Sequence, residues 1–391
     1  MIIVESTSYD VLDKVLEYVE KRFPTLGIPI LLIKASAICY RFFNYGSILV
    51  ALRSSGKSAV MAIGASGRAQ TLTVASVAGF SKAVKKGDIQ IPEDHHIFFL
   101  IDDLADVTQY SNRIDSFVSL MSSLMFTGEI VYTMGNETAV IKDLWASVVC
   151  GGTLNSYEKI RRRDDWDAKN VDRFPLRIHL VYNKQEYEEK EKLSRVWEFL
   201  GKEKLVEYWN NFGNQIDLLL GIQEKDITEF ASQLTLMYND KPISFLEFKN
   251  LIDKMISENR TKELYLILPK GLNYLISYMN KWLNASESRL TCVAMSLAIF
   301  HAVANKRFII SDEDFLWWVG KIDRYIKPDC VGGVALAYYY ALCKDGGRSF
   351  EQRNVSKKEL DILTRLREHD LIEVVYKGVG QTRKVGGVLP K

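Results

Sequence analysis

The chain has 391 residues, is 47% hydrophobic and 26% charged, and carries a formal net charge of +2. That length accommodates two or three domains, and that composition belongs to a soluble globular protein, not to a disordered or fibrous one. No apolar run reaches the roughly 18 residues that span a bilayer, and Met1-Ile2-Ile3-Val4-Glu5-Ser6 lacks the basic-then-apolar pattern of a signal peptide, so a cytoplasmic location is expected.

Residues 9–22 predict an amphipathic helix, with Val11, Leu12, Val15, Leu16 and Val19 on one face. Ile28 to Ile33 is an apolar run expected as a strand. Ile48-Leu49-Val50-Ala51-Leu52 reads as a buried strand, and it leads into Ser54-Ser55-Gly56-Lys57-Ser58 with a helix expected from Ala59. Thr71 to Val77 alternates in a β-rich composition, and Val84 to Asp94 is polar and turn-like. Ile97-Phe98-Phe99-Leu100-Ile101 is a second buried strand and ends in Asp102-Asp103. A helix is expected over Ile114 to Met125. Two β-prone runs within 129–142 flank Gly135-Asn136, a hairpin signal. Trp145 to Cys150 is a further strand leading to Gly151-Gly152-Thr153-Leu154-Asn155, followed by the basic segment Lys159, Arg161, Arg162, Arg163. Asp172-Arg173-Phe174-Pro175 then precedes the strand Leu176 to Tyr182.

The strand and helix alternation stops near residue 183, at the charged run Glu186 to Glu191. Helices are expected over Leu193–Leu200, Leu205–Asn211, Ile227–Met237, Ser244–Ser257, Leu272–Leu283, Ser288–Val303 and Glu313–Ile326. The tail changes again: helices over Val331–Cys343 and Lys357–Glu368, then strands Leu371–Tyr376 and Thr382–Val388 around Gly378-Val379-Gly380. Helices followed by a two-stranded ribbon describe a winged helix. The predicted fold is an α/β sandwich with a largely parallel sheet over 1–183 (lead-in 1–44), a helical lid over 184–327 and a winged helix over 328–391.

The strand, Gly-Lys-Ser and acidic strand together read as a nucleoside-triphosphate site. Backbone N–H groups of Ser54, Ser55 and Gly56 would cradle phosphates, Lys57 would reach the β- and γ-phosphates, and the Ser58 hydroxyl would ligate Mg²⁺. Asp102 is expected on the metal side and Asp103 as the group that polarises the attacking water. The phosphate-loop pattern has glycine where this chain has Ala51; a Cβ there opposes a left-handed backbone at a cost of roughly 1 kcal/mol. Cys39, Cys150, Cys292, Cys330 and Cys343 are scattered without a CxxC pair and read as reduced core residues, and no structural zinc is expected. Trp317-Trp318 reads as core, and the five histidines form no catalytic pattern.

From about residue 45 onward the order of these motifs resembles the AAA+ ATPases. The 129–142 hairpin before the Trp145 strand resembles the branch that holds the minichromosome-maintenance and superfamily 3 viral helicases, and paired aspartates resemble the viral group. The resemblance implies ATP and Mg²⁺ as ligands, a homo-hexameric ring with nucleotide between subunits, and DNA as partner. It implies a γ-phosphate sensor at Thr153 or Asn155, a finger at Arg173 toward a neighbour's nucleotide, and a second sensor at Arg289 in Ser288-Arg289-Leu290. Ile310-Ser311-Asp312-Glu313-Asp314 resembles the family's next helix cap, with Ser311 or Asp312 expected to accept a free N–H. The tail resembles the winged helix of archaeal origin-recognition and helicase-loader proteins, at Tyr340-Ala341-Leu342-Cys343, Arg353-Asn354-Val355-Ser356, Asp370-Leu371-Ile372-Glu373 and Gly380-Gln381-Thr382-Arg383.

Residues 344–391 hold eleven Lys/Arg against seven Asp/Glu. Lys357, Lys358, Arg365 and Arg367 on a helix, Arg383 and Lys384 on the wing, and Lys142 beside the hairpin are candidate DNA contacts. Arg161 to Arg163 are candidates for DNA or a neighbouring subunit. These readings lead to a replicative helicase of a virus or mobile element. They leave open an origin-binding or helicase-loading protein that uses ATP as a switch, a degenerate nucleotide-binding scaffold, and a packaging motor.

Overall fold

A computed structural model describes residues 10–73, 76–105, 111–134, 137–162, 172–222, 233–238, 241–244, 247–248, 250–251, 254, 258, 269–351, 355–379 and 383–391. Its central sheet forms from the apolar runs. β1 (Gly46–Ala51) is buried along its whole length, and β2 (Ala69–Thr71), β3 (His96–Ile101), β6 (Trp145–Thr153) and β7 (Leu176–Leu180) join it in the order β2-β3-β6-β1-β7. Every pairing is parallel, with Ala51 opposite Thr153 and Leu180, and Ile101 opposite Cys150. A parallel sheet must be covered on both faces, which is why these strands read as continuous apolar runs. The same register brings the C-terminal ends of β1, β6 and β3 side by side, where open α/β sheets carry their ligand sites.

The N-terminal lead-in is helical and belongs to the core. α1 (Val11–Glu20) starts at Asp10, whose carboxylate accepts the Leu12 N–H at 2.8 Å. α2 (Gly27–Cys39) corrects the strand expected at Ile28–Ile33. All its residues are buried, and an apolar run buried on every side carries no period that separates helix from strand. α3 (Lys57–Ala65) follows the phosphate loop and packs on α2. α4 (Val77–Lys86) takes the end of the segment read as a β-rich run; Ser76 caps it through the Gly79 N–H at 3.1 Å. Helix Ser111–Ser122 continues into a π-helical turn, Ser123–Thr127, before the hairpin of β4 (Ile130–Met134) and β5 (Glu137–Ile141), whose tip at 135–136 lies outside the described residues.

The charged run Glu186–Glu191 lies within helix Lys184–Leu200, which Asn183 and Glu186 open with a capping box. Helix Lys202–Leu220 follows after Gly201 and is anchored to α3. A Cβ at Gly213 would stand 2.6 Å from the Ile63 carbonyl oxygen, so only glycine lets the two backbones meet. Beside it, buried Lys34 of α2 bonds Asp217 and Ser66 at 2.7 Å each, and Arg68 bonds Asp217 at 2.7 Å.

The region expected as a purely helical lid also holds a small sheet. Thr235–Tyr238 (β8) is a strand, not the end of a helix, paired with β9 (Lys241–Ser244) and β10 (Ile309–Ile310). Residues 227–232 of that expected helix, and most of 245–257, lie outside the described residues. Helices Lys270–Leu283 and Glu287–Ala304 match their apolar patterns. The single helix expected over Glu313–Ile326 is two short ones, Asp312–Leu316 and Asp323–Ile326, parted at Gly320 with φ 80°. Ser311 and Asp314 form the cap of the first as a capping box. In the tail, helices Gly333–Asp345 and Lys357–Glu368 pack with the antiparallel sheet β11-β13-β12, made of Arg348–Glu351, Arg383–Pro390 and Ile372–Val379. β11 was not evident in the sequence. The ribbon's turn, including Gly380, Gln381 and Thr382, lies outside the described residues, as do Arg353 and Asn354.

Two buried polar clusters tie the parts together. Asp329 accepts hydrogen bonds from Tyr157, from Arg177 at 2.8 Å and, with its ring, from His179 at 3.1 Å. Tyr340 of helix Gly333–Asp345 meets His179 at 3.1 Å and donates to the Val50 carbonyl of β1 at 3.3 Å. Elsewhere His301 bridges Asp10 and Asp314, at 2.7 Å to each. Two of the five histidines therefore do stand in constellations, but as buried links between elements. Trp318 is fully buried, as expected, and Trp317 lies beside His301 with the two rings tilted by 40°. Among the described residues no helix is long and apolar enough to cross a membrane.

Candidate functional site

The loop that leaves β1 turns through Ser54 at φ 59° and Gly56 at φ 84°, and α3 begins at Lys57. Ala51 is the last residue of β1, paired on both sides and outside the left-handed region. The strain expected from a Cβ at position 51 therefore does not arise; the left-handed residue without glycine's freedom is Ser54, which costs roughly 1–2 kcal/mol. Two hydroxyls brace the turn: Ser55 donates to the Leu52 carbonyl, and Tyr182 donates to the Ser55 carbonyl at 2.6 Å.

Opposite the loop, at the end of β3, the two aspartates divide. The Ser58 hydroxyl donates to Asp102 at 3.1 Å. The Lys57 ammonium stands 3.8 Å from Asp103, which also accepts the Ala105 N–H at 2.9 Å and so is held toward the loop. The Lys57 stem crosses the end of β6 at Gly151. A Cβ there would lie 2.5 Å from the Asp102 carbonyl oxygen and 3.0 Å from Lys57 Cδ. Gly151 is thus a requirement of the site that its sequence context, a Gly-Gly at the end of a buried strand, only hinted at.

These groups open into a cavity of about 890 Å³. Ser54 to Ala59, Asp103, Thr153 and Asn155 line one end, and Lys159 stands nearby. Thr153 also caps helix Leu154–Arg161, accepting the Ser156 N–H at 3.2 Å, so its hydroxyl is fixed where β6 ends between β1 and β3. Ser194, Trp197, Leu205 and Trp209 also line the cavity, and none of them stood out in the sequence.

Arg173 and Arg289 are not part of this cavity. The Arg173 carbonyl accepts the N–H of Gly46, the first residue of β1, at 2.8 Å. That is the opposite end of the strand from the phosphate loop, roughly 17 Å away at about 3.3 Å per residue. Arg289 packs its guanidinium 3.8 Å from the centre of the Phe126 ring, and burial lowers its pKa. Asp172 accepts the Ser286 N–H at 2.7 Å, which brings the segments of the two arginines together at that far end.

The basic candidates fall into separate groups. Lys357, Lys358, Arg365 and Arg367 are exposed on their helix. Lys358 and Arg365 share a cleft of about 500 Å³ with Arg161 and Arg162, alongside Glu158 and Asp361. Arg161 also donates to the Asp329 carbonyl at 2.6 Å, and Arg163 lies outside the described residues. Lys142 pairs with Glu129 at 3.8 Å, and the exposed cross-strand pair of the hairpin is Val131 with Val140. Arg383 and Lys384 belong to β13. All five cysteines are free thiols.

No protein-family model matches the chain, and no curated protein is significantly similar to it.

Proposed function

We propose that the chain is an ATP-hydrolysing AAA+ subunit that acts on DNA as part of a homo-hexameric ring, with a helicase as its best reading. The observation that carries it is the pairing of Ser58 with Asp102 at 3.1 Å beside Lys57 with Asp103 at 3.8 Å, across the glycine end of β6. A lysine, a hydroxyl and two carboxylates at the mouth of a phosphate-sized loop have few other uses. The polar end of β6, inserted between the loop strand and the acidic strand, supports the AAA+ resemblance, since Thr153 stands where a γ-phosphate sensor is wanted.

The donor set suits a hard divalent cation. Ser58 Oγ and Asp102 Oδ1 are oxygen ligands, and Mg²⁺ uses only one or two such groups besides phosphate and water. Ser58 and Asp102 would hold such an ion, which would supply charge neutralisation to the phosphates. Loop N–H groups from Ser54 to Ser58, at the start of α3, bind the phosphates. Lys57 places its charge on them, and Asp103 orients the water and draws on its proton. Arg173 and Arg289 lie too far from their own loop to serve it, which supports their acting on a neighbour's nucleotide. DNA phosphates would meet Lys357, Lys358, Arg365, Arg367 and the cleft shared with Arg161 and Arg162. In this reading Arg383 and Lys384 add wing contacts, and the hairpin contributes the exposed Val131 and Val140 pair near its base.

Phosphate release and strand displacement by wild type, Lys57→Ala and Asp103→Asn test this. Wild type should release phosphate faster with DNA; Lys57→Ala should lose nucleotide binding, and Asp103→Asn should bind ATP but hydrolyse it at least about 100-fold more slowly. ATP-modulated, site-specific duplex binding without unwinding would replace the helicase reading with an origin-binding or loading one.

A further inference from the structure

The cavity is larger than a triphosphate needs, and part of its lining is aromatic. About 890 Å³ is at the upper end of sites that enclose a whole small molecule. Ser194 and Trp197 are three residues apart on one helix, Leu205 and Trp209 four apart on the next, so each helix turns a single face to the cavity. The rings are pre-set. Trp197 meets Trp209 edge-on, centroids 5.7 Å apart at 81°, and packs against Phe23 at 6.2 Å. Trp197 is only partly buried, which leaves ring surface open. Trp209 is 7% exposed, and its indole N–H has no acceptor among the described residues. An indole nitrogen only donates, and leaving a buried donor unmet is costly. This wall cannot drift from the loop, because the Lys34, Ser66, Arg68 and Asp217 cluster and Gly213 lock its second helix onto α3.

We propose that Trp197, supported by Trp209 and Leu205, is the platform on which the nucleobase of a nucleoside triphosphate stacks, and that it makes the site prefer purine over pyrimidine nucleotides. The proposal rests on the reading of the loop as a triphosphate site. Stacking scales with π-surface, so the larger purine gains more, while the phosphate end is blind to the base.

Calorimetric titration of the full chain with Mg²⁺ and ATP, CTP or inorganic triphosphate tests it. Wild type should bind ATP about ten-fold more tightly than CTP. Trp197→Ala should weaken ATP about ten-fold or more and leave inorganic triphosphate within about two-fold, whereas Lys57→Ala should weaken both. Trp197→Phe, which keeps a ring, should restore most of the ATP affinity and controls for folding. If Trp197→Ala binds ATP like wild type while Lys57→Ala does not, or wild type binds CTP as tightly as ATP, the platform is overturned and the triphosphate site stands. If wild type binds neither ATP nor inorganic triphosphate, both readings fall.

Discussion

Lys57 and Gly151 act as a pair. A Cβ at residue 151 would meet the Asp102 carbonyl oxygen at 2.5 Å, Met61 Sδ at 2.8 Å and the Lys57 stem at 3.0 Å. Gly151→Ala should therefore displace either the Lys57 side chain or the β3 end, costing roughly 1–3 kcal/mol of stability and most of the nucleotide affinity. Denaturant unfolding and calorimetry on the same sample would check both. At this scale the sequence was legible where chemistry is local. Gly56-Lys57-Ser58 and Asp102-Asp103 announce themselves as types in order, and their meeting follows once both end parallel strands. Trp197 and Trp209 were illegible, because nothing in a helical pattern says which aromatic face meets a loop 140 residues earlier in the chain. Ala51 was misjudged for a related reason: a pattern position does not state a backbone angle, and here the strand simply continues through it.

Among the elements, the turn Lys327–Cys330 is fastened to β7 through buried charge. Asp329 stands well below the usual carboxylate pKa: burial works to raise it, but Arg177, His179 and Arg161 outweigh that. Asp329→Ala would remove the carboxylate that buried Arg177 bonds at 2.8 Å, and loss of a buried pair on one side costs roughly 3–5 kcal/mol. A drop of that size in unfolding free energy is expected. The link from α1 to helices Glu287–Ala304 and Asp312–Leu316 is pH-sensitive. Burial lowers the His301 pKa, yet hydrogen bonds and charge from Asp10 and Asp314 more than reverse it, even with Arg307 facing the ring at 3.3 Å, so it stands above its ordinary value of 6.5. Burial raises Asp10, and His301 and Asn305 pull it further down, to about 2. A base raised on folding stabilises fully below its unfolded pKa and loses that as pH rises through the folded one. An acid lowered on folding stabilises above its unfolded pKa and loses that as pH falls toward about 2. The midpoint of thermal unfolding should thus fall as pH rises above 6.5, and His301→Gln should flatten that decline. Elements with a clear period or cap, such as α1 and Lys357–Glu368, were legible. α2 and β8 were not: burial on all sides erases the period of one, and strand partners 70 residues away decide the other.

For the whole molecule, the sheet separates the Gly56-Lys57-Ser58 end from an arginine-bearing end by one strand length. In the proposed ring, a second copy would complete the site by bringing its Arg173 end to the neighbour's loop. Mixing Lys57→Ala with Arg173→Ala, each inactive alone, should restore partial ATP hydrolysis, because some interfaces then pair an intact loop with an intact arginine. Steady-state phosphate release across mixing ratios would show it. The end of the parallel sheet was legible from where strand and helix alternation stops, since β7 is followed by helix Lys184–Leu200. The small sheet β8-β9-β10 inside the helical region was not, since each strand is only two to four residues long.

Hydrolysis itself is the most direct test. Phosphate release from Mg²⁺-ATP should be measured for wild type and Lys57→Ala, with and without DNA. The account predicts release by wild type that DNA accelerates and that Lys57→Ala abolishes. Equal release from both proteins, or none from wild type under any of these conditions, would contradict it.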